Sequence, residues 1–254
     1  MIGHRGAAGV APENTLPSLR HAAAAGAHAV EFDLRCTADD RLVLLHDAIV
    51  DRTTDGTGPI EGMSLEEAAG LDAGYRFTTD GGRSFPYRGR GIAIPTLEEA
   101  IAEIAPLPMI LELKSQRAGE VLPGFLEQHR LAGPAIVGSF SRSAAEAVAP
   151  HVRSRCASEE ELRAYVLLGK IGLARVAVPQ AEAVMVPERR FLRVVTRRFV
   201  RGAHAHGLGV FVWTVNRPDD MRRLWDWGID GVITDEPGRA LRVLRERLAA
   251  GVER

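Results

Sequence analysis

The feature that most constrains this chain is its rhythm. Short apolar runs alternate with helical segments almost from end to end, the pattern of βα units laid around a parallel sheet. Runs suited to strands lie at Met1–His4, Ala29–Thr37, Met109–Leu113, Ala135–Ser139, Ser154–Ala157, Gly209–Trp213 and Gly231–Thr234. One more falls within Arg175–Val186, where Arg175–Val178 and Ala183–Val186 both qualify. Counted once, that interval completes eight strands, and 254 residues is the usual size of a closed (β/α)8 barrel. The expected fold is an α/β TIM barrel, with residues 1–254 forming one domain. Helix starts support it. Ser64 with Glu67 and Thr96 with Glu99 fit the capping box, and Gly26 stands where a helix from Leu16 should stop.

Two stretches depart from the rhythm. Only a few residues around Asp39-Asp40 separate Leu42–Leu45 from the second strand, too few for a parallel crossover, so this run is expected to return as an antiparallel hairpin. A turn centred on Asp39-Asp40 would set His46 opposite Asp33. From residue 51 to 95 the rhythm lapses into a glycine-rich segment with one short helical signal after Ser64. So long an irregular segment reads as an inserted subdomain, and because it leaves directly after His46-Asp47 it is expected to roof whatever site lies there.

Charge and targeting signals exclude several roles. A formal net charge of −1 gives no global reason to expect nucleic acid as a partner. No basic segment followed by an apolar stretch opens the chain, and no run is long enough to span a bilayer, so a cytoplasmic location is expected. Cys36 and Cys156 stand alone, without metal-ligand or redox spacing, and read as buried reduced thiols. Arg190, Arg193, Arg197 and Arg201 form a basic stripe opposite Phe191, Val194 and Val195. Such a stripe suits weak contact with an anionic membrane surface, although a solvated helix face is the commoner origin and the reading preferred here.

Polar groups recur at strand ends: His4-Arg5, Glu31 and Asp33, His46-Asp47, Glu112 and Lys114. Side chains alternate along a strand, so Glu31 shares a face with Asp33 and Glu112 with Lys114, while Val30, Phe32, Leu111 and Leu113 point the other way. In a closed barrel these polar faces converge at the C-terminal mouth. Three carboxylates among apolar neighbours are costly unless paired or metal-bound, so Glu31, Asp33 and Glu112 are the expected metal ligands. An all-carboxylate set favours a hard divalent ion, Mg²⁺ or Ca²⁺ with Mn²⁺ as a third option, over Zn²⁺. His4 and His46 are then left for proton transfer. Arg5 and Lys114 suit an anionic, phosphorylated substrate.

The ordered blocks His4-Arg5-Gly6, Pro12-Glu13-Asn14-Thr15, Glu31-Phe32-Asp33, His46-Asp47, Arg52-Thr53-Thr54-Asp55-Gly56-Thr57-Gly58, Pro95-Thr96-Leu97, Glu112-Leu113-Lys114, Trp213-Thr214-Val215-Asn216 and Thr234-Asp235 resemble the glycerophosphodiester phosphodiesterase family. The resemblance runs from residue 3 to about residue 237 and includes the insertion. It implies a TIM barrel that hydrolyses glycerophosphodiesters, as small-molecule substrates, to glycerol 3-phosphate and an alcohol. It implies His4 and His46 as the acid–base pair, Glu31, Asp33 and Glu112 as metal ligands, and Arg5 and Lys114 as phosphate contacts. Ser139-Phe140 resembles the family's Ser-Phe pair, and Asp235-Glu236-Pro237 keeps its acidic residue and proline. The match also tips Trp213 from barrel packing toward a wall for the glycerol carbons, with Asn216 hydrogen-bonding nearby. The seventh βα loop, between Pro179-Gln180 and Pro187, has no matched counterpart. A lysophospholipase D-like lipid phosphodiesterase and a silent binding barrel are the competing readings.

Overall fold

The computed structural model describes residues 1–129, 131–139, 141–188 and 194–252. Its strands are β1 (Ile2–Gly3), β2 (Ala29–Cys36), β3 (Leu42–Leu44), β4 (Met109–Leu113), β5 (Ala135–Ser139), β6 (Ala183–Pro187), β7 (Gly209–Trp213) and β8 (Gly231–Thr234). Parallel pairing runs β5-β4-β2-β1-β8-β7-β6, with β3 set antiparallel on β2. The gap between β5 and β6 is bridged by residues 154–157. Val137 pairs with Arg155 and Cys156 with Ala183, and the amides of Cys156 and Ala157 donate to the carbonyls of Val137 and Ala183, each at 2.8 Å. This extended segment is the eighth stave and closes the TIM barrel, although its bridges are too sparse to count as a regular strand.

Helices α1 (Leu16–Ala24), α2 (Leu65–Ala69), α3 (Leu97–Ile104), α4 (Gln116–Gln128) and α5 (Arg142–Val148) precede the bridging stave or flank the first strands. Helices α6 (Glu159–Lys170), α7 (Arg197–Ala205), α8 (Pro218–Asp226) and α9 (Pro237–Val252) follow it. Both expected capping boxes form, at Ser64/Glu67 and Thr96/Glu99, and Ser158/Glu161 makes a third at the start of α6. Outward-facing Val30, Phe32, Leu34, Leu111 and Val212 pack with the helices into the main core. A smaller cluster of Ile2, Ile110 and Ile233, with Met185, Phe211 and Trp213 against it, fills the barrel interior. Room for it comes from Gly231, where a Cβ would stand 2.6 Å from the Phe211 ring. The interior is therefore apolar at depth and polar only at the mouth.

Two sequence readings are resolved or corrected. Of the two candidates in the seventh interval, Ala183–Pro187 is the strand, and residues 174–177 form a short 3₁₀ turn. The hairpin register differs by one residue from expectation. Leu34 faces Leu44 and Arg35 faces Val43, so Asp33 lies opposite Leu45, whose amide donates to the Asp33 carbonyl (3.2 Å), and not opposite His46. The cause is the turn. Thr37 and Arg41 bracket a three-residue loop that ends on Asp40 in the left-handed region (φ 58°), and an odd loop shifts every pair by one. The basic stripe lies partly outside the described residues, since Arg190, Phe191 and Arg193 fall there. On α7, Arg197 and Arg201 are exposed while Val195 is buried.

Residues 51–95 carry a 3₁₀ turn at Ile60–Gly62, helix α2 and otherwise irregular chain. They gather a cluster of their own, in which Val50, Ile60, Ala68, Ala73 and Ile94 pack on Val43 and Leu45 of the hairpin.

Candidate active site

The first loop is shaped by its glycines. The chain turns sharply after β1, with Arg5 and Asn14 in the left-handed region (φ 47° and 56°). Gly6 lies so close to α1 that a Cβ there would meet the Ser18 backbone at 2.5 Å. Ser18 Oγ then donates to the Arg5 carbonyl and accepts from the Ala7 amide, both at 2.8 Å. This locks His4 and Arg5 at the mouth. A non-glycine residue held at positive φ costs energy that the surrounding contacts must offset, and such positions concentrate at functional sites.

One cavity at the C-terminal mouth is lined by His4, Arg5, Glu31, His46, Glu112, Lys114, Met185, Trp213 and Ile233. It unites all the expected site residues except Asp33, which lies fully buried alongside it. Carboxylate oxygens of Glu31, Asp33 and Glu112 come within 4.8 Å of one another. Lys114 Nζ stands 2.9 Å from Glu112 Oε1 and 3.1 Å from Asp33 Oδ1. The Arg5 amide donates to Glu31 Oε2 (2.8 Å), and Arg5 Nε is 3.1 Å from Asp33 Oδ2. Asn14 brackets Asp33 from behind, donating from Nδ2 to Oδ2 (2.8 Å) and accepting the Asp33 amide (3.1 Å).

Burial and the neighbouring Asp33 push the Glu31 carboxyl up to about 8. Burial also works to raise Asp33, but Lys114, Arg5 and His46 outweigh it and hold that carboxyl below its ordinary value. The pair is therefore polarised, with Asp33 satisfied as an anion and Glu31 not. Glu31 Oε1 and Asp33 Oδ1 are buried without a well-aligned hydrogen bond. Asp33 Oδ1 has the Lys114 ion pair, whereas Glu31 Oε1 has no hydrogen-bond partner among the described residues. An orphaned buried oxygen amid three hard donors fits a divalent cation, which would satisfy it and relieve the repulsion that raises Glu31.

Each histidine is backed by a carboxylate. His4 donates from Nδ1 to Asp235 Oδ1 (2.7 Å), whose other oxygen accepts from Asn216 Nδ2 (2.6 Å). An ionised carboxylate only accepts, so Nδ1 carries the proton and Nε2 is the atom available to chemistry. Burial disfavours the His4 cation, but the Asp235 hydrogen bond and the Glu31 charge prevail and raise its pKa. His46 donates from Nδ1 to Asp47 Oδ1 (2.6 Å), and its carbonyl is held by Arg35 Nε (2.9 Å). Asp47 in turn contacts Arg52, the first arginine of the insertion.

Sequence reasoning quoted Glu13, Asp47, Arg52 and Asp235 within motifs but gave them no role. A usable signal existed for Asp235. In a closed barrel the last strand ends beside the first, so a carboxylate after β8 must lie near His4. Met185 and Ile233 were missed because nothing in an apolar strand marks which residues reach the mouth. The insertion was expected to roof the site, yet no residue from 51–95 is among those lining the cavity, and it reaches the rim through Arg52. Trp213 packs on the interior cluster and also lines the cavity. Ser139 is buried, with Oγ 3.4 Å from the Leu113 carbonyl, while Phe140 lies outside the described residues.

Comparison with known proteins decides the lineage. The model of the glycerophosphoryl diester phosphodiesterase family matches residues 4–239. The chain belongs to this family. As a member it is an enzyme, a phosphodiesterase. A glycerophosphodiester phosphodiesterase from Caldanaerobacter subterraneus is 30% identical over 97% of this chain and 98% of its own length. One from Bacillus subtilis is 30% identical, covering 93% of this chain and 83% of that relative. Among solved structures, the phosphodiesterase domain of a Mycobacterium tuberculosis protein superposes with a TM-score of 0.83 at 25% identity, over 95% of this chain and 97% of that one. An Oleispira antarctica phosphodiesterase, solved with its product sn-glycerol-3-phosphate, gives 0.76 at 28% identity over 96% of both chains.

Proposed function

We propose that this enzyme hydrolyses glycerophosphodiesters to glycerol 3-phosphate and an alcohol in a reaction that depends on a divalent metal ion. The observation that carries the reading is the orphaned oxygen Glu31 Oε1 in a cluster of three carboxylates flanked by two carboxylate-backed histidines and two cations. Relatives named for this activity, and the sn-glycerol-3-phosphate bound to the Oleispira enzyme, support the substrate class.

Glu31, Asp33 and Glu112 are the residues to hold the ion, which when bound would neutralise phosphoryl oxygens and the charge that builds on them. Arg5 and Lys114 complete that neutralisation. Their own carboxylate partners hold both cations in place before substrate arrives. One histidine takes the proton of the attacking hydroxyl at Nε2, either from water or from the neighbouring glycerol hydroxyl. The latter route forms a cyclic phosphate that a water molecule then opens to glycerol 3-phosphate. The other, protonated, gives its Nε2 proton to the departing alkoxide. Asp235 and Asp47 keep each ring turned, and Asp235 also favours the His4 cation. Trp213, Met185 and Ile233 offer the glycerol carbons an apolar wall. We place the enzyme in the cytoplasm. Both cysteines are buried and free, with burial raising the Cys36 thiol to about 12 and so leaving it inert, and no described helix is long and apolar enough to cross a membrane.

The test is chelation. A panel of glycerophosphodiesters, with lysophospholipid beside them, should be hydrolysed only after Mg²⁺, Ca²⁺ or Mn²⁺ is restored, with glycerol 3-phosphate released. Full activity in chelator, with no metal found by elemental analysis, would falsify metal dependence. Turnover of lysophospholipid alone would overturn the substrate class.

A further inference from the structure

Arginines of the barrel are commonly matched to carboxylates, as Arg20 is to Glu103, Arg117 to Asp40 and Arg155 to Glu161. Past Arg52, which is paired with Glu13 and Asp47, the segment 75–91 breaks that habit. Arg76, Arg83, Arg88 and Arg90 are all exposed, and none has a carboxylate partner among the described residues. Across residues 73–93 these four stand against a single carboxylate, Asp80. Asp80 is occupied in shaping the turn: its oxygens accept from the amides of Arg83 and Ser84 and from the Ser84 hydroxyl.

Three of these side chains, those of Arg76, Arg83 and Arg88, are nevertheless held in place. The Arg88 guanidinium lies between two rings, 4.1 Å from the Tyr75 centroid and 3.8 Å from that of Phe85, and Nε donates to the Tyr75 carbonyl (2.9 Å). Arg76 lies 5.7 Å from the same Tyr75 ring and donates from Nε to the Thr54 carbonyl (3.1 Å). Arg83 Nε donates to the Asp80 carbonyl (2.9 Å). In each case Nε is spent on backbone, and the terminal nitrogens make no hydrogen bond among the described residues. A guanidinium held flat in this way has already lost much of the entropy that pairing with phosphate would cost. The surface around it is open, since a Cβ at Gly81, Gly89 or Gly91 would meet nothing within 4 Å.

We propose that this loop, residues 75–91, docks the enzyme on anionic phospholipid headgroups. Several fixed cations spread over an open surface match a plane of phosphates better than one small ion, which would call for an enclosed cradle. Nucleic acid fits less well, because the rings that would stack on bases are covered by Arg88 and Arg76. The docking stands apart from the proposed reaction.

Co-sedimentation with vesicles tests it. Binding is expected to phosphatidylcholine vesicles containing phosphatidylglycerol, absent with phosphatidylcholine alone, and weakened by salt. Each arginine should contribute roughly fivefold in partitioning, so R76Q/R88Q should lose roughly 25-fold. R83Q/R90Q should lose as much while leaving the ring stacks, and hence the loop, intact. R197Q/R201Q on α7 should bind as wild type. Equal affinity for both vesicles, undiminished binding by the two loop variants, loss through the α7 variant alone, or binding to poly(U) RNA without vesicle binding would each overturn the proposal.

Discussion

Arg52 joins the two sides of the mouth. Its NH1 and NH2 hold the Glu13 oxygens at 2.8 and 2.7 Å, its Nε holds Asp47, and Glu13 also accepts from Arg5 NH1 (2.7 Å). Charge alone would not do this, because an ammonium presents its three donors from one nitrogen and cannot reproduce the planar fork that reaches two carboxylates here. Arg52→Gln is expected to lower kcat roughly 10- to 100-fold, and Arg52→Lys to recover little of it. In a His46→Ala background the same change should add little, since its effect passes through that ring. Full additivity in the double-mutant cycle would place the role of Arg52 elsewhere. The histidines themselves separate by leaving group. Each alanine variant should lose roughly 10²- to 10⁴-fold on a glycerophosphodiester. With a p-nitrophenyl ester the phenolate departs without protonation, so the variant lacking the acid should be selectively restored. Near-wild-type rates for both variants on both substrates would return the two rings to a structural role.

The bridging stave is the barrel's least regular element, and Glu161 ties it down. Arg155 NH1 and NH2 both reach Glu161 at 2.9 Å, and the same carboxylate accepts the Ser158 amide (2.9 Å) at the head of α6. The Arg155 hydrogen bonds, in spite of burial, lower the Glu161 carboxyl from 4.5 to about 2. A depressed carboxylate stabilises the fold above its unfolded value, and that contribution is lost as pH falls from about 4.5 through about 2. Glu161→Gln should therefore be less stable than wild type at pH 7 and flatter in its acid response, by urea unfolding across that window. Ser158→Ala, which removes the cap, should cost about 1 kcal/mol. Wild-type stability in both variants would show that the stave is held by the barrel alone.

At the scale of the whole molecule the question is how far the insertion belongs to the barrel. Val43 and Leu45 are buried beneath it, at 0% and 4% exposure, so excision uncovers hairpin side chains that each contribute about 1.5–3 kcal/mol. We take the segment as a subdomain within one barrel domain. Replacing residues 53–93 by a short linker, which spares Arg52 and Ile94, should leave barrel-like circular dichroism and cooperative unfolding. The Tm should fall by roughly 10 °C. Loss of cooperative unfolding would make the segment part of the core.

The sequence by itself determined the βα order, the hairpin, the irregular stretch over residues 51–95, and which residues stand at strand ends. Each of these is a local consequence of periodicity, turn chemistry and capping, as Thr96/Glu99 and the alternation of Glu31, Phe32 and Asp33 illustrate. It also supplied the polar residues that line the cavity, though not Met185 and Ile233, because in a barrel the strand ends have only one place to meet. What tertiary structure decided is non-local. The one-residue hairpin shift followed from the backbone angle at Asp40, and the irregular fifth stave from pairing across the closure. His4 took its partner from just past β8, Asp235, 231 residues away, while Asp47 beside His46 is itself held by Arg52. No pattern along the chain orients such side chains. Their geometry is set when the barrel closes, burial makes an unpaired charge costly, and each polar group takes the nearest partner that packing leaves within reach.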